Sequence, residues 1–251
     1  LVDASSGRGG VFDGVGGTKR AEIASATATE TIGNYYAGAS EPTDLEAAKE
    51  LLYFALVRAD EQIKAVASTL NLPEVPQTTA AVAKLWRDPA SGDYKLLAAS
   101  SGDSRVYVLD PEGVLSQVTV DNVDDTTSDV DVQDAQLYQS ETSNILDPLN
   151  SADETYFNTR HFLGPVLGLS DADLEPRIEV VAIGTGYKVL ITTDGVHDNL
   201  TDNEIRELLA APLAASEMVK SITGAARDRS AHQDFARAKT DDISAVVLLI
   251  D

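Results

Sequence analysis

The chain has 251 residues, with 41 acidic side chains against 19 Lys and Arg, a formal net charge of -22 and no cysteine. So acidic a chain repels phosphate backbones and anionic lipid, which argues against nucleic acid and membrane surfaces as partners. The lack of cysteine excludes disulfides, thiol catalysis and zinc–thiolate sites. With 43% hydrophobic residues and no linker-like stretch, residues 1–251 are expected to form a single domain. No stretch approaches a membrane span and the start lacks a signal segment, so we expect a location in the cytoplasm. The protein is also expected to be a monomer.

The first part of the chain predicts a short strand and two long helices. Residues 11–12 end the strand. Thr18 is expected to cap a helix that continues to about residue 36. Residues 41–44 open a second helix, in which apolar side chains keep helical spacing to about residue 70.

The pattern then changes to period two, which predicts a series of strands separated by turns. These strands are 79–86, 94–99, 105–109, 117–120, 177–183, 187–193 and 243–250. Helices are predicted at 201–209, which begins with a capping box, and at 214–229. Residues 121–160 are acidic and poorly periodic, which indicates a flap-like insertion. Because strict alternation of strand and helix is absent, the prediction is an α+β fold with antiparallel sheets covered by helices.

Four aspartates stand beside glycine or a second acid at the ends of apolar runs: Asp13, Asp103, Asp194 and Asp241. A carboxylate in such a place is costly to bury without a positive partner, and no matching set of Lys or Arg accompanies these positions. Hard divalent cations favour oxygen ligands and tolerate several carboxylates together. Any one of these positions alone is better explained as an ordinary turn. Their joint occurrence indicates a metal-dependent hydrolase.

The strands that end at Asp13 and Asp194 could lie side by side and bring the two carboxylates together, with Asp198 facing the same pocket. Two divalent ions bridged by Asp13 would offset the repulsion between the acids and hold an acidified water between them. A site rich in oxygen and free of cysteine suits Mg²⁺ or Mn²⁺ better than Zn²⁺. His197 could donate a proton near this site, or it could be a helix-start histidine that only makes a hydrogen bond.

Five stretches occur in the order and spacing of a known family. They are 12–17 (FDGVGG), 99–107 (ASSGDSRVY), 163–168 (LGPVLG), 190–198 (LITTDGVHD) and 241–247 (DDISAVV). In these stretches the chain resembles the metal-dependent protein Ser/Thr phosphatases of the PP2C (PPM) family, in their bacterial form. The resemblance covers nearly the whole chain outside 121–160.

The resemblance implies a central antiparallel β-sandwich flanked by helix pairs on both faces, with a two-metal centre at one end. The implied Mg²⁺ or Mn²⁺ ligands are Asp13, Gly14, Asp194, Asp241, Asp103 and Asp198. Asp13 would bridge the two ions, while Asp103 and Asp198 would share a more weakly held third ion with Asp194. The implied reaction is attack of the bridging water on a phosphoserine or phosphothreonine ester of a phosphoprotein, opposing a Ser/Thr kinase.

One departure concerns the N-terminal side of Asp13. The family places a phosphate-gripping Arg and an acidic metal ligand on a strand before the first Asp-Gly, but only twelve residues precede Asp13 here. Residues 1–4 could be the tail of that strand, and Arg8 and Asp3 are poor substitutes by spacing. Either the chain begins downstream of that segment or the clamp and the ligand are lost. A catalytically impaired pseudophosphatase or regulatory binding domain therefore stays open; a plain calcium-binding protein fits less well, because no Asp-x-Asp-x-Asp-Gly loop occurs.

Overall fold

The computed structural model describes residues 1–121, 165–169, 174, 176–232 and 238–250. The helices are α1 Ala21–Gly38, α2 Leu45–Thr69, α3 Asp194–His197, α4 Asp202–Ala210 and α5 Ala215–Ser230. The strands are β1 Val2–Asp3, β2 Arg8–Val11, β3 Ala80–Arg87, β4 Tyr94–Ser101, β5 Arg105–Leu109, β6 Leu115–Gln117, β7 Arg177–Ile183, β8 Lys188–Thr192 and β9 Ala245–Leu249. A candidate for a membrane span is not found among the helices of the described ranges.

The strands form two antiparallel sheets that pack face to face. The first sheet has the order β1-β2-β3-β4-β7, and the second has the order β6-β5-β8-β9. Helices α1 and α2 cover the outer face of the first sheet, and α4 and α5 cover the outer face of the second. The predicted fold, a central antiparallel β-sandwich flanked by helix pairs on both faces, is confirmed.

Central strands are apolar on both faces because each face meets a different layer. In β3, Val82 and Trp86 pack against α1 and α2, whereas Ala81 and Ala83 lie between the two sheets. Side chains alternate with period two along a strand, so a strand buried on both sides must be apolar at nearly every position. This explains the long apolar run that the sequence shows from residue 79 to 86.

The second sheet uses the same alternation. Val106 and Val108 of β5 point between the sheets, and Tyr107 points towards α4 and α5. Helix α4 begins with the predicted capping box: the Glu204 N–H donates to Thr201 Oγ1 at 3.3 Å, and the Thr201 N–H donates to Glu204 Oε2 at 2.8 Å. Two otherwise unpaired amides at the helix start are satisfied in this way.

The start of α1 differs from the prediction. Arg20, with a φ of 65°, precedes the helix and makes no side-chain cap. The Thr18 hydroxyl instead donates to the Val15 carbonyl at 2.8 Å, inside a turn that follows the first Asp-Gly. The prediction that Thr18 caps α1 was therefore wrong, because the local turn occupies its hydroxyl. The second helix begins as expected, with Asp44 Oδ1 accepting from the Ala47 N–H at 2.9 Å.

The strand predicted at 117–120 ends early, at Gln117. The strand ends because of a hydrogen bond with the neighbouring strand β5. The Val106 N–H of β5 donates to the Thr119 hydroxyl at 3.0 Å instead of to a backbone carbonyl. A hydroxyl that takes over a ladder position interrupts the strand pairing. The chain turns there, and the Asp121 side chain lies in the interior.

Asp121 is the first residue of the stretch at about 121–160 that the sequence predicts to be an insertion, and its side chain pairs with Arg105 of β5. Its carboxylate receives hydrogen bonds from Arg105 Nε at 3.0 Å and Nη2 at 2.6 Å, and the two side chains are only 7% and 3% exposed. Asp121 therefore belongs to the sandwich. The rest of the predicted flap lies outside the described residues.

Candidate active site

The antiparallel connections bring several strand ends to one end of the sandwich. In the first sheet Val11 of β2 lies opposite Ala81, and Ala80 lies opposite Ser101. In the second sheet Thr192 of β8 pairs with Arg105 on one side and with Ala245 on the other. The segments that hold the four predicted aspartates follow or precede these ends, so all four emerge from the same edge.

Three of these aspartates form a compact carboxylate cluster. Asp13, Asp194 and Asp241 each offer an oxygen, and these oxygens lie within 4.8 Å of one another. They line an open cavity of about 300 Å³. Among the described residues, the cavity is lined by Asp13, Gly14, Val15, Gly16, Thr79, Asp103, Asp194, Lys239, Asp241 and Asp242.

The loop that holds Asp13 is fixed to the first residues before β3. The Asp13 N–H donates to Thr79 Oγ1 at 3.2 Å, and the Thr79 N–H donates to the Asp13 carbonyl at 2.7 Å. Thr79 Oγ1 also shares a hydrogen bond of 2.7 Å with the hydroxyl of the buried Ser104, next to Asp103. Thr79 thus links the loops of two cavity aspartates, a role that sequence reasoning missed because it treated the residue only as a strand start.

The loop before β9 is fixed to the end of β8. The Thr193 N–H donates to the Ser244 carbonyl at 3.1 Å, and the Ser244 N–H donates to Thr193 Oγ1 at 3.0 Å. Gly195 lets this loop come close, because a Cβ at that position would stand 2.3 Å from the Asp242 carbonyl oxygen. The distance between Asp194 and Asp241 therefore depends on a glycine.

Replacing Gly195 by alanine is expected to push the Asp242 backbone away from α3. Overpacking of this kind costs about 1–3 kcal/mol of unfolding free energy and should also weaken any activity that needs Asp194 and Asp241 together. Thermal denaturation and an activity assay measure the two effects. The matched control is Gly224→Ala in α5, where nothing lies within 4 Å of the added Cβ. That variant should gain about 0.5–1 kcal/mol, and an equal gain for Gly195→Ala would contradict the prediction.

Lys239 provides a positive charge that sequence reasoning overlooked. Its Nζ contacts carboxylate oxygens of Asp194, of Asp198 at 2.9 Å and of Asp241 at 3.0 Å. A single lysine is still not a set that matches the aspartates, but the sequence did not indicate that Lys239 would reach them. The only signal was the placement of Lys239 two residues before Asp241, which shows nothing by itself without the fold.

The cavity strongly disfavours charged carboxylates. Burial raises the pKa of Asp13 to about 8, and the carboxylates of Asp194 and Asp241 add to this shift. Burial, followed by the charges of Asp194 and Asp198, also raises the pKa of Asp103 well above its ordinary value. Burial alone would lower the pKa of Lys239, but Asp198 and Asp194 outweigh it and raise that pKa. Even with one lysine present, the cavity is therefore short of positive charge.

The remaining predicted site residues lie in or near the same region. Asp103 and Gly14 line the cavity, and Asp198 lies beside it, joined to it through Lys239. His197 is buried, shares a hydrogen bond of 3.1 Å between its Nδ1 and Thr192 Oγ1, and is not among the described lining residues. Its position favours the structural alternative, and proton donation by His197 stays a prediction.

Arg8 does not serve this cavity. It pairs with Asp3, its guanidinium carbon lies 4.6 Å from the centre of the Tyr36 ring, and neither Arg8 nor Asp3 is among the described lining residues. This agrees with the judgement from spacing that the two are poor substitutes for a phosphate clamp and a metal ligand.

The sandwich between helix layers has the fold of solved bacterial serine/threonine phosphatases, and a carboxylate-lined cavity lies at its end. The sequence profile of the protein phosphatase 2C family matches residues 6–238. The chain therefore belongs to the protein phosphatase 2C family, and the resemblance drawn from its motifs is confirmed. Lys239 and Asp241 lie just beyond the matched range, so their place in the cavity rests on the structure.

Solved structures of bacterial phosphatases have the same fold. A bacterial serine phosphatase is 21% identical, with a TM-score of 0.73 over 97% of this chain and 86% of that chain. The PPM Ser-Thr phosphatase MsPP of Mycobacterium smegmatis, in complex with cacodylate, is 22% identical, with a TM-score of 0.71 over 100% of this chain and 90% of that chain. The Mycobacterium tuberculosis serine/threonine phosphatase PstP/Ppp is 20% identical, with a TM-score of 0.72 over 100% and 95%. A comparison with curated protein sequences gives no match.

Proposed function

We propose that this protein hydrolyses phosphoserine and phosphothreonine esters of proteins with the help of Mg²⁺ or Mn²⁺ bound in the carboxylate cavity. The observation that carries the proposal is the approach of Asp13, Asp194 and Asp241, from three separate segments, to within 4.8 Å between their oxygens. A module that only binds a partner has no need for three converging carboxylates, whose mutual repulsion costs stability.

The residues of the cavity fit divalent cations. All the candidate ligand atoms are oxygens, which Mg²⁺ and Mn²⁺ prefer, and the described lining offers neither cysteine nor histidine that would favour zinc. Asp13, Asp194 and Asp241 would hold the ions, with Gly14 offering its carbonyl and Asp103 and Asp198 serving a third, weaker site. Ions bound there would supply an activated water and neutralise charge on the phosphate. The number of bound ions, two with a third held more weakly, is also part of the proposal.

The protein's own residues would position these groups and leave room for the substrate. Thr79 and Ser104 fix the Asp13 loop, and Thr193 fixes the loop that holds Asp241. The described lining leaves the cavity partly open, so a phosphorylated side chain could enter it. Among the described lining residues, Lys239 is the one cationic side chain, and a phosphate dianion entering here would therefore depend mainly on bound metal for compensation of its charge.

The test is hydrolysis of p-nitrophenyl phosphate and of matched phosphoserine, phosphothreonine and phosphotyrosine peptides. We expect phosphate release with Mn²⁺ or Mg²⁺, loss of release in excess chelator and recovery when the metal is added back. The phosphoserine and phosphothreonine peptides should be preferred. Full activity in excess chelator would rule out the metal-dependent mechanism.

Inactivity with every metal would instead favour the catalytically impaired alternative. One observation keeps this alternative relevant: the described part of the cavity has no arginine to grip a phosphate. Binding of a phosphopeptide without turnover, measured by calorimetry, would identify a regulatory binding domain. That the protein acts as a monomer, in the cytoplasm and opposite a Ser/Thr kinase stays a prediction from the sequence.

A further inference from the structure

Lys239 lies where a divalent ion would need to bind its ligands. We propose that the Lys239 ammonium is a built-in competitor for metal, which neutralises the Asp194, Asp198 and Asp241 side of the cavity until an ion displaces it. The inference rests on the proposed function, because it concerns how tightly the same carboxylates hold the metal. It makes Lys239 a residue that sets metal affinity.

The contacts of Lys239 are selective within the acidic group. Its ammonium pairs with Asp194, with Asp198 at 2.9 Å and with Asp241 at 3.0 Å. In the described part of the chain, no ion pair joins it to Asp13, although Asp13 belongs to the same carboxylate cluster. The lysine therefore occupies one side of the cluster and leaves the Asp13 side to other cations.

The backbone beside this ammonium is held by a buried side chain. Asn199 is fully buried, and its Nδ2 donates to the Lys239 carbonyl at 2.9 Å and to the Gly195 carbonyl at 2.9 Å. The Lys239 N–H in turn donates to Asn199 Oδ1 at 3.0 Å. This pair of bonds ties the residue to the helix that begins with Asp194, so the lysine enters the cavity from a fixed point. Its side chain is 12% exposed.

Metal and lysine compete because both need the carboxylates of the same residues. Lys239 pairs with Oδ2 of both Asp194 and Asp241, two of the three residues of the carboxylate cluster. A divalent ion among these oxygens would lie within a few ångströms of an ammonium, where like charges repel strongly in a partly buried site. The ammonium must then leave the site, which the flexible lysine side chain allows while the backbone of Lys239 stays in place. Metal binding is weakened by the free energy of breaking these ion pairs.

The test is calorimetric titration of the whole chain with Mn²⁺ alone, at fixed pH and ionic strength. Lys239→Gln should lower the dissociation constant for Mn²⁺ by about tenfold or more, because it removes a unit charge within about 4 Å of the site. Lys239→Arg keeps the charge and should bind no more tightly than the unmodified protein. The matched control is Lys220→Gln, which makes the same charge change at an exposed position on α5 and should leave the constant unchanged.

Thermal unfolding with and without Mn²⁺ separates competition from a structural role. Without metal, Lys239→Gln should melt lower because its carboxylates repel one another, and Mn²⁺ should raise its Tm more than that of the unmodified protein. If Lys239 is only a structural ion pair, the variant loses the same stability with and without Mn²⁺ and its dissociation constant does not fall. That result overturns the inference. If Lys239→Gln folds poorly without metal, its Tm can still be measured with Mn²⁺ present.

The outcomes for the unmodified protein separate this inference from the proposed function. If it binds Mn²⁺ and hydrolyses phosphoesters but Lys239→Gln binds no more tightly, the inference alone fails. If the unmodified protein neither binds Mn²⁺ nor shows metal-dependent activity, the proposed function fails for this chain. In that case, Mn²⁺ binding by Lys239→Gln would support a lysine that blocks the site, and no binding by either protein would overturn the inference as well.

Discussion

Asp194→Asn is expected to lower metal-dependent phosphatase activity by about 10³-fold. The substitution keeps the size of the side chain but removes a charged ligand from the three-carboxylate cluster. Charge stabilisation by a bound ion contributes several kcal/mol to the transition state, and every 1.36 kcal/mol corresponds to a factor of ten in rate. The quantity to measure is kcat/KM for p-nitrophenyl phosphate across a titration of Mn²⁺, so that weaker metal binding is distinguished from slower turnover at saturation.

The control for this experiment is Asp228→Asn. Asp228 is exposed on α5 and is not among the residues that line the cavity, so the same chemical change there should leave kcat/KM unaltered. Circular dichroism checks that both variants are folded. If Asp194→Asn keeps its activity to within about tenfold, Asp194 does not bind the catalytic metal, and the proposed assignment of the cavity is wrong.

The second large effect concerns stability, at the buried ion pair between Arg105 and Asp121. Asp121→Asn should lower the free energy of unfolding by about 3–5 kcal/mol, because it removes the charge of a carboxylate that pairs with the buried guanidinium. Arg105 also donates from its Nη1 to the Tyr107 hydroxyl at 3.1 Å, but this neutral group does not replace the charge of the Asp121 carboxylate. Urea denaturation, extrapolated to water, measures the change.

Glu112→Gln provides the comparison for Asp121→Asn. Glu112 is exposed in the turn between β5 and β6, so an acid-to-amide change there should alter the free energy of unfolding by less than about 0.5 kcal/mol. Similar small effects for both variants would mean that the Arg105–Asp121 pair contributes little beyond what its amide analogue provides.

The acidic cavity and the lysine together connect stability to function. The cavity holds carboxylates whose pKa values are raised by burial and by one another, and Lys239 offsets only part of that repulsion. Bound cations would relieve the remainder, so folding and metal binding should reinforce each other. The Tm of this protein is therefore expected to depend on the metal in solution, with Lys239 setting how strongly.

The sequence by itself determined the architecture and located the aspartates that line the cavity. Period-two apolar runs and helical spacing are local signals, and they placed β3, β5, α2 and α4 close to their observed bounds. The aspartates could be found in the same way, because each follows or precedes an apolar strand beside glycine or a second acid. The order of the motifs then identified the family, which the profile match confirmed.

Only the tertiary structure decided which side chains meet those aspartates. Lys239 enters the cavity because β9 pairs with β8 and because Asn199 ties its backbone to the segment after Asp194. Asp121 is buried because Arg105 lies across from it, although its neighbours along the chain made it look like part of a solvated loop. Charge partners of this kind are separated along the sequence and are brought together by strand order, which no local pattern encodes. The local sequence pattern determines whether a segment forms a helix or a strand. The packing of the two sheets determines which charged side chains lie opposite one another.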